Sequence, residues 1–113
     1  MAEIPTSIMR KIELFLVALN QHKRIQRAFV YGSFATGTAT EWSDIDVAIV
    51  SSDFSEDLFE ERLNLMRIAF RIDERIEPHP FTPDAFDGDD PLASEVRQNG
   101  VLVRELETQG EGA

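Results

Sequence analysis

Apolar positions recur along the chain with two different periods, and the change of period separates helices from strands. In residues 6–24 they recur every three or four positions, as on one face of an α-helix: Ile8, Ile12, Phe15, Leu16 and Leu19. Residues 28–31 are a short apolar run that ends at Gly32 and predicts a first strand. Residues 44–50 predict a second strand, because every second side chain is apolar: Ile45, Val47 and Ile49.

The next segment predicts a helix that begins near Ser55 and ends at about Ile72. A serine followed by two acidic residues suits a helix N-terminus, because the hydroxyl caps and the acids face the positive end of the dipole. Apolar residues surround much of this helix: Leu58, Phe59, Leu63, Leu65, Met66, Ile68, Phe70 and Ile72. We interpret them as one broad core face; the alternative is a second face for another helix or a partner.

Two prolines mark the following strand as an edge strand. Residues 75–81 predict a short strand, but Pro78 and Pro80 have no N–H group to donate to a neighbouring strand. The strand must therefore lie at one side of the sheet. Residues 82–84 then predict a turn.

The last segments complete a small domain. Pro91 suits the first turn of a helix and Gly100 its end, while residues 101–103 are an apolar segment of unassigned type. The first two strands can pair antiparallel around the loop of residues 32–43. The helix between the second and third strands makes that pair parallel and right-handed, with the second strand central. The sequence therefore predicts an α/β (α+β) fold, a small mixed β-sheet flanked by helices.

Composition adds limits on size and environment. The 113 residues fit one domain, assigned to residues 1–107, followed by a polar, glycine-rich tail at 108–113 that we expect to be disordered. Cysteine is absent, which excludes disulfides and thiolate zinc sites and fits a reducing compartment. No apolar run approaches the ~20 residues of a membrane span. We expect a cytoplasmic protein with no membrane contact.

The net charge restricts the class of partner. Eleven Lys and Arg against 21 Asp and Glu give a net charge of −10. Such a surface repels a phosphate backbone, so we expect no direct nucleic-acid binding. A nucleotide bound as its magnesium complex is less affected, because the metal supplies positive charge. The acidity also suits a basic protein partner, or it only keeps the protein soluble.

Three carboxylates form the candidate catalytic and metal site. Asp44 and Asp46 are two residues apart on a strand, so their side chains leave one face with Cα atoms ~7 Å apart. Their oxygens can converge on two Mg²⁺ ions ~3.5–4 Å apart, the spacing used for phosphoryl displacement. Glu77, on the neighbouring parallel strand, is the best-placed third acid. Asp73 and Glu74 are the fallback candidates.

The loop before these acids contains candidate phosphate-binding residues. Gly32 has no side chain, so a phosphate can approach its backbone, and Ser33 can donate its N–H and hydroxyl. Gly37 allows a second close approach or a sharp turn. Ser43 either shapes the turn into Asp44 or contacts the nucleotide through its hydroxyl.

Three nearby residues have structural and functional interpretations. We expect Tyr31 in the core. Trp42 either stacks on a base or packs over the mouth of the site. His79 is interpreted as an edge-strand surface histidine, with a role beside Glu77 as the alternative.

The spacing of these residues also resembles a known signature. Gly32-Ser33, ten intervening residues, then Asp44-Ile45-Asp46 is similar to the motif of the nucleotidyltransferase superfamily that includes DNA polymerase beta. The short chain resembles its minimal nucleotidyltransferase (MNT) branch, whose members are often antitoxins encoded beside a HEPN-domain ribonuclease toxin. The resemblance implies a polymerase beta-like fold.

The resemblance implies roles for the same residues. Gly32 and Ser33 would hold the triphosphate, Asp44 and Asp46 would bind magnesium, and Glu77 would be the third ligand and proton acceptor. The reaction would transfer AMP from ATP to a hydroxyl, with pyrophosphate leaving. In the toxin–antitoxin pairs the acceptor is a tyrosine of the HEPN toxin.

Two positions depart from the family pattern. Many relatives carry Arg where this chain has Thr36, and the third acid is commonly Asp where this chain has Glu77. Two alternatives stay open, and these departures bear on the first of them. One is a non-catalytic module that masks its partner by binding, and the other is nucleotidyl transfer to a small molecule.

Overall fold

The computed structural model describes residues 3–105, in five helices and four strands. The helices are α1 Thr6–Asn20, α2 Ser33–Thr36, α3 Leu58–Phe70, α4 Pro83–Phe86 and α5 Pro91–Asn99. The strands are β1 Arg27–Tyr31, β2 Ile45–Val50, β3 Ile76–Phe81 and β4 Val101–Glu105. The tail predicted at 108–113 lies outside the described residues.

The strands form one mixed sheet in the order β3-β2-β1-β4. β1 pairs antiparallel with β2 and with β4, and β2 pairs parallel with β3. The predicted mixed sheet with flanking helices is therefore confirmed. β3, which contains Pro78 and Pro80, lies at an edge as expected. The apolar segment of unassigned type is β4, which makes β1 and β2 the two interior strands.

Each face of the sheet is covered by a different pair of helices. α1 and α3 cover the face presented by Ile45, Val47 and Ile49, where Ile12 and Phe15 of α1 are fully buried. Fully burying side chains of this size contributes roughly 1.5–3 kcal/mol each. α4 and α5 cover part of the opposite face through a smaller cluster of Ala48, Val50, Phe81, Phe86, Ala93 and Val96. The uncovered part of this second face contains the candidate acids.

Local hydrogen bonds move two predicted helix boundaries. α1 ends at Asn20 rather than at residue 24, because the Asn20 side chain accepts a hydrogen bond from Ile25 N–H and starts the turn. The cap of α3 is Asp57 rather than Ser55. The Asp57 carboxylate accepts from Glu60 N–H, while the Ser55 hydroxyl accepts from Asp57 N–H.

The predicted single core face of α3 is wrong. Leu65 and Ala69 are buried, but Phe59 and Phe70 on another side of the helix are mostly exposed. The turn predicted at 82–84 begins the short helix α4. Over residues 3–105, no helix combines the length and the apolar character needed to cross a membrane.

Candidate active site

The sheet register aligns three polar side chains across three strands. Tyr31 at the end of β1 lies opposite Asp46 of β2, and Asp46 lies opposite Glu77 of β3. Directly opposed residues in a sheet point to the same face, so the three side chains form one row. Asp44 precedes β2 by one residue. The structure therefore places Glu77 on the face of Asp46, as the strand pattern predicted, and adds Tyr31, which is half-buried beside the smaller cluster.

The row concentrates negative charge. Partial burial raises the pKa of Asp46, and the neighbouring charges of Asp44 and Glu77 raise it further. Burial also raises the pKa of Tyr31 to about 12, with the Asp46 charge as the next cause. These shifts mean that ionising Asp46 beside its negative neighbours is unfavourable without a counter-charge. A bound cation would relieve this repulsion.

The start of α2 packs directly on the Asp46 carboxylate. Gly32 has φ 75° and ψ −147°, a backbone conformation essentially restricted to glycine, and it immediately precedes α2. A Cβ atom added to Gly32 would lie 2.3 Å from Asp46 Oδ2. The Gly32 carbonyl accepts from Ala35 N–H and Thr36 N–H, which closes a single helical turn. Only a residue without a side chain therefore fits between this turn and the carboxylate.

The remaining predicted loop residues shape the backbone. Gly37 has φ 86° and ends α2, as expected for a sharp turn. The Ser43 hydroxyl accepts from Thr40 N–H at 2.8 Å, and Ser43 N–H donates to the Thr40 carbonyl. Ser43 thus closes the turn before Asp44, the first of its two predicted roles. The Thr36 hydroxyl donates to the Ser33 carbonyl and lies 3.0 Å from that of Thr38.

Trp42 does not pack over the mouth of the site. Its side chain is 83% exposed, and its backbone N–H donates to the Thr40 hydroxyl. The packed arrangement, one of the two alternatives for this residue, is therefore wrong. Base stacking by this side chain stays a prediction.

Glu77 has a cationic neighbour that the sequence did not reveal. Arg62 of α3 lies 3.3 Å from Glu77 Oε1 through Nη2, and its Nε donates to the Pro78 carbonyl at 3.1 Å. Arg62 therefore donates a hydrogen bond to a backbone carbonyl of the edge strand and also forms an ion pair with the Glu77 side chain. No spacing rule links positions 62 and 77, because their proximity depends on how α3 packs along β3.

The carboxylates do not form a closed ligand set in this conformation. Within residues 3–105, no group of three or more His, Cys, Asp or Glu side chains is arranged to hold a metal ion. The donor chemistry nevertheless fits Mg²⁺, which takes one or two carboxylates and completes its shell with water and phosphate oxygens. Asp44 and Asp46 suffice for that arrangement, and Glu77 would join it by turning away from Arg62.

The fallback acid Asp73 has another role. It is nearly buried, receives hydrogen bonds from Arg75, and binds Lys11 Nζ at 2.6 Å. The Arg75 hydrogen bonds hold the pKa of Asp73 well below its usual range, with Lys11 contributing and burial opposing. Asp73 thus links α1 to the start of β3. Glu74, the other fallback candidate, is exposed and lines a neighbouring groove rather than the polar row.

His79 lies on the same face of β3 as Glu77, one row further along. It is half-buried rather than on the surface, because it lines a cavity of about 280 Å³ with Arg62 and Asp90. Burial lowers the pKa of His79, and the nearby Arg62 charge lowers it further. Both effects favour the neutral form of the imidazole.

Solved structures with the same fold include several toxin–antitoxin complexes. One, a toxin–antitoxin with AMP-PNP, has a TM-score of 0.65 and 21% identity over 91% of this chain and 77% of its own. The MntA–HepT toxin–antitoxin has a TM-score of 0.60 and 17% identity, with 95% and 78% covered. A tri-AMPylated Shewanella oneidensis HEPN toxin with its MNT antitoxin gives 0.57 and 20%, with 92% and 75% covered. At these identities the likeness shows the fold.

The family is established by the sequence itself. A search of curated proteins found no match. The family model described as a nucleotidyltransferase domain matches residues 9–97, a span that runs from α1 to α5 and includes Gly32, Ser33, Asp44, Asp46 and Glu77. Because the match covers most of the chain, this protein belongs to the nucleotidyltransferase domain family.

Proposed function

We propose that this chain transfers AMP from ATP to a hydroxyl group of a protein, with magnesium bound at Asp44 and Asp46. The observation that carries the proposal is the contact between Gly32 and Asp46. It brings the predicted phosphate-binding turn against the predicted metal ligand, as a triphosphate bridging the two requires. Gly37 and Ser43 support the loop between them.

Each residue has a defined task in this reaction. Gly32 and Ser33 hold the triphosphate through their backbone and the Ser33 hydroxyl. Asp44 and Asp46 would bind magnesium, which would neutralise charge on the phosphates, and we propose two ions. Glu77 accepts the proton from the acceptor hydroxyl, whose oxygen forms a bond to the α-phosphorus. The bond between the α-phosphorus and the bridging oxygen breaks, and pyrophosphate leaves.

The proposed partner is a HEPN-domain toxin encoded beside this chain, with a tyrosine as the acceptor. Support comes from structural neighbours that include a HEPN toxin carrying AMP in complex with its MNT antitoxin, and from one solved with AMP-PNP. The chain would act as the antitoxin by silencing the ribonuclease. A cysteine-free protein that consumes ATP fits the cytoplasm, and its charge of −10 disfavours direct nucleic-acid binding.

A second candidate function is masking of the partner by binding alone. The contact between Glu77 and Arg62 favours it, because the third acid is held by a cation rather than gathered with Asp44 and Asp46. Such a protein would protect its partner even after both aspartates were replaced. A catalytic antitoxin would lose protection with them.

Intact-mass spectrometry separates the two functions. The neighbour-encoded HEPN protein would be incubated with this chain, ATP and magnesium, beside an Asp46→Ala variant. A mass gain in whole AMP units that disappears in the variant would support transfer through the carboxylates. A stable complex without any mass gain would exclude transfer and leave masking.

A further inference from the structure

One side of α3 presents a row of apolar side chains, here called the α3 stripe, in which Phe59, Met66 and Phe70 are exposed and Leu63 is partly buried. Their spacing of four, three and four residues puts them on one face of the helix. Phe59 is 75% exposed, Phe70 is 67% exposed and Met66 is 38% exposed. Two phenylalanines this open are typical of a surface that binds another molecule.

The α3 stripe borders a groove that reaches the candidate active site. The groove has a volume of about 580 Å³ and lies between Leu63, Met66 and Phe70 of α3 and Ile76 and Glu77 of β3. Glu77 is the acid that lies opposite Asp46 in the sheet. A molecule lying in this groove would therefore contact the residue proposed to accept the proton.

The charges along the groove favour an acidic occupant. Arg67 and Arg71 line it, and no ion pair among residues 3–105 includes either of them. Glu74 also lines it, whereas Glu77 is already paired with Arg62. The groove therefore has two exposed arginines and one unpaired acid, although the net charge of the whole chain is −10.

The edge of the sheet beside the stripe is unsuited to pairing with another strand. Pro78 and Pro80 provide no N–H groups, and Arg62 already donates to the Pro78 carbonyl. An occupant must therefore bind through side chains. An amphipathic helix does this by laying apolar residues into a groove.

We propose that the α3 stripe and its groove are the docking surface for the acceptor protein, occupied by an amphipathic helix whose apolar face is flanked by acidic side chains. The inference rests on the proposed function, because that function requires a protein hydroxyl to approach Glu77. The surface begins at Glu77 and extends along α3. Docking there holds the acceptor next to the acids while leaving the turn at Gly32 open to ATP.

The test is a titration of the neighbour-encoded HEPN protein with the full chain, without ATP, by calorimetry. The double variant Phe59→Glu/Phe70→Glu should bind at least about tenfold more weakly, as expected for the loss of central aromatic anchors. Arg67→Glu/Arg71→Glu should also weaken binding, with a reduced dependence of affinity on salt. The matched control is Leu14→Glu/Val17→Glu on α1, where both side chains are 56% exposed, and its affinity should be unchanged.

AMP transfer, followed by mass in the same samples, is scored separately. If the stripe variant raises KM for the partner and leaves kcat unchanged, both proposals are supported. Weaker binding in a system where even the wild-type chain transfers no AMP would support docking and overturn the proposed function. If the stripe variant transfers AMP and binds the partner with wild-type affinity, the docking proposal alone would be overturned. The absence of any complex between the wild-type chain and the partner would also overturn the docking proposal alone. A stripe variant that changes only self-association, measured by light scattering, would also overturn it and identify the surface as a contact between copies.

Discussion

Replacing Gly32 with alanine tests whether the phosphate-binding turn and the Asp46 carboxylate are packed as one unit. The new Cβ would lie 2.3 Å from Asp46 Oδ2, about 1 Å closer than an ordinary contact between carbon and oxygen. The backbone would also keep φ 75° and ψ −147°, a region essentially restricted to glycine, which costs an L-residue roughly 1–3 kcal/mol. Relieving the overlap adds about 1–3 kcal/mol, as for other overpacked sites. The two costs together lead us to expect that Gly32→Ala lowers the free energy of unfolding by about 2–6 kcal/mol.

Gly37→Ala provides the matched comparison for stability. Gly37 has φ 86° in the left-handed helical region at the other end of α2, so an alanine there carries a conformational cost, while the overlap with Asp46 Oδ2 arises at Gly32. Its expected loss is about 1–2 kcal/mol. Urea unfolding should be followed by far-UV circular dichroism, because the single tryptophan, Trp42, is already 83% exposed and would report little.

The two variants should also differ in magnesium binding. Displacing the Asp46 carboxylate by about 1 Å should weaken Mg²⁺ binding in the Gly32 variant, because this ion demands near-ideal geometry. Magnesium titration calorimetry in the presence of a non-hydrolysable ATP analogue measures this. If Gly32→Ala matches Gly37→Ala in stability and the wild-type chain in Mg²⁺ affinity, the proposed contact with Asp46 is refuted.

Three further predictions follow from the charged groups. Because the folded pKa of Asp46 is raised, the metal-free protein should lose stability as pH rises from the ordinary carboxyl range through that folded pKa. The Asp46→Asn variant should therefore be more stable than the wild type in urea unfolding at pH 7. Added Mg²⁺ should narrow this difference in stability. Arg62→Met should free the Glu77 carboxylate, so the Mg²⁺ concentration that gives half-maximal AMP transfer should fall. Arg62→Lys should keep this concentration closer to the wild-type value. The same concentration in all three proteins would contradict a restraining role for Arg62. Asp73→Asn should cost about 2 kcal/mol at pH 7 by weakening the bonds of Asp73 with Arg75 and Lys11. The loss should shrink as pH falls from the ordinary carboxyl range through the depressed folded pKa of Asp73, and a pH-independent difference would argue against an ionic origin.

The sheet was predictable because its signals are local. The apolar alternation after Asp44 marks β2, and the prolines at 78 and 80 restrict β3 to an edge. A helix between two strands then makes their pairing parallel. The strand at 101–105 was not assigned in advance, because its short apolar run becomes a strand only through pairing with β1.

The candidate site was predictable only in its acids and its turn. The spacing between Gly32 and Asp46 is recognisable in the sequence. The alternation of residues within β3 also predicted that Glu77 lies on the same face of the sheet as Asp46. Arg62 was missed, since its contact depends on the position of one helix along a sheet edge. The exposure of Trp42 was also missed, because it depends on hydrogen bonds within the turn of residues 40–43.

The position of β2 between two paired strands has a consequence for how the protein loses activity. Asp46 sits on a strand with hydrogen-bonded neighbours on both sides, so its amide and that of Val47 should exchange with solvent only when the whole sheet opens. The turn of residues 40–43 has few long-range hydrogen bonds and should exchange earlier. Heating would therefore leave the acids in register until global unfolding, so metal binding and folding should be lost at the same temperature. The turn of residues 40–43 can fluctuate well below that temperature.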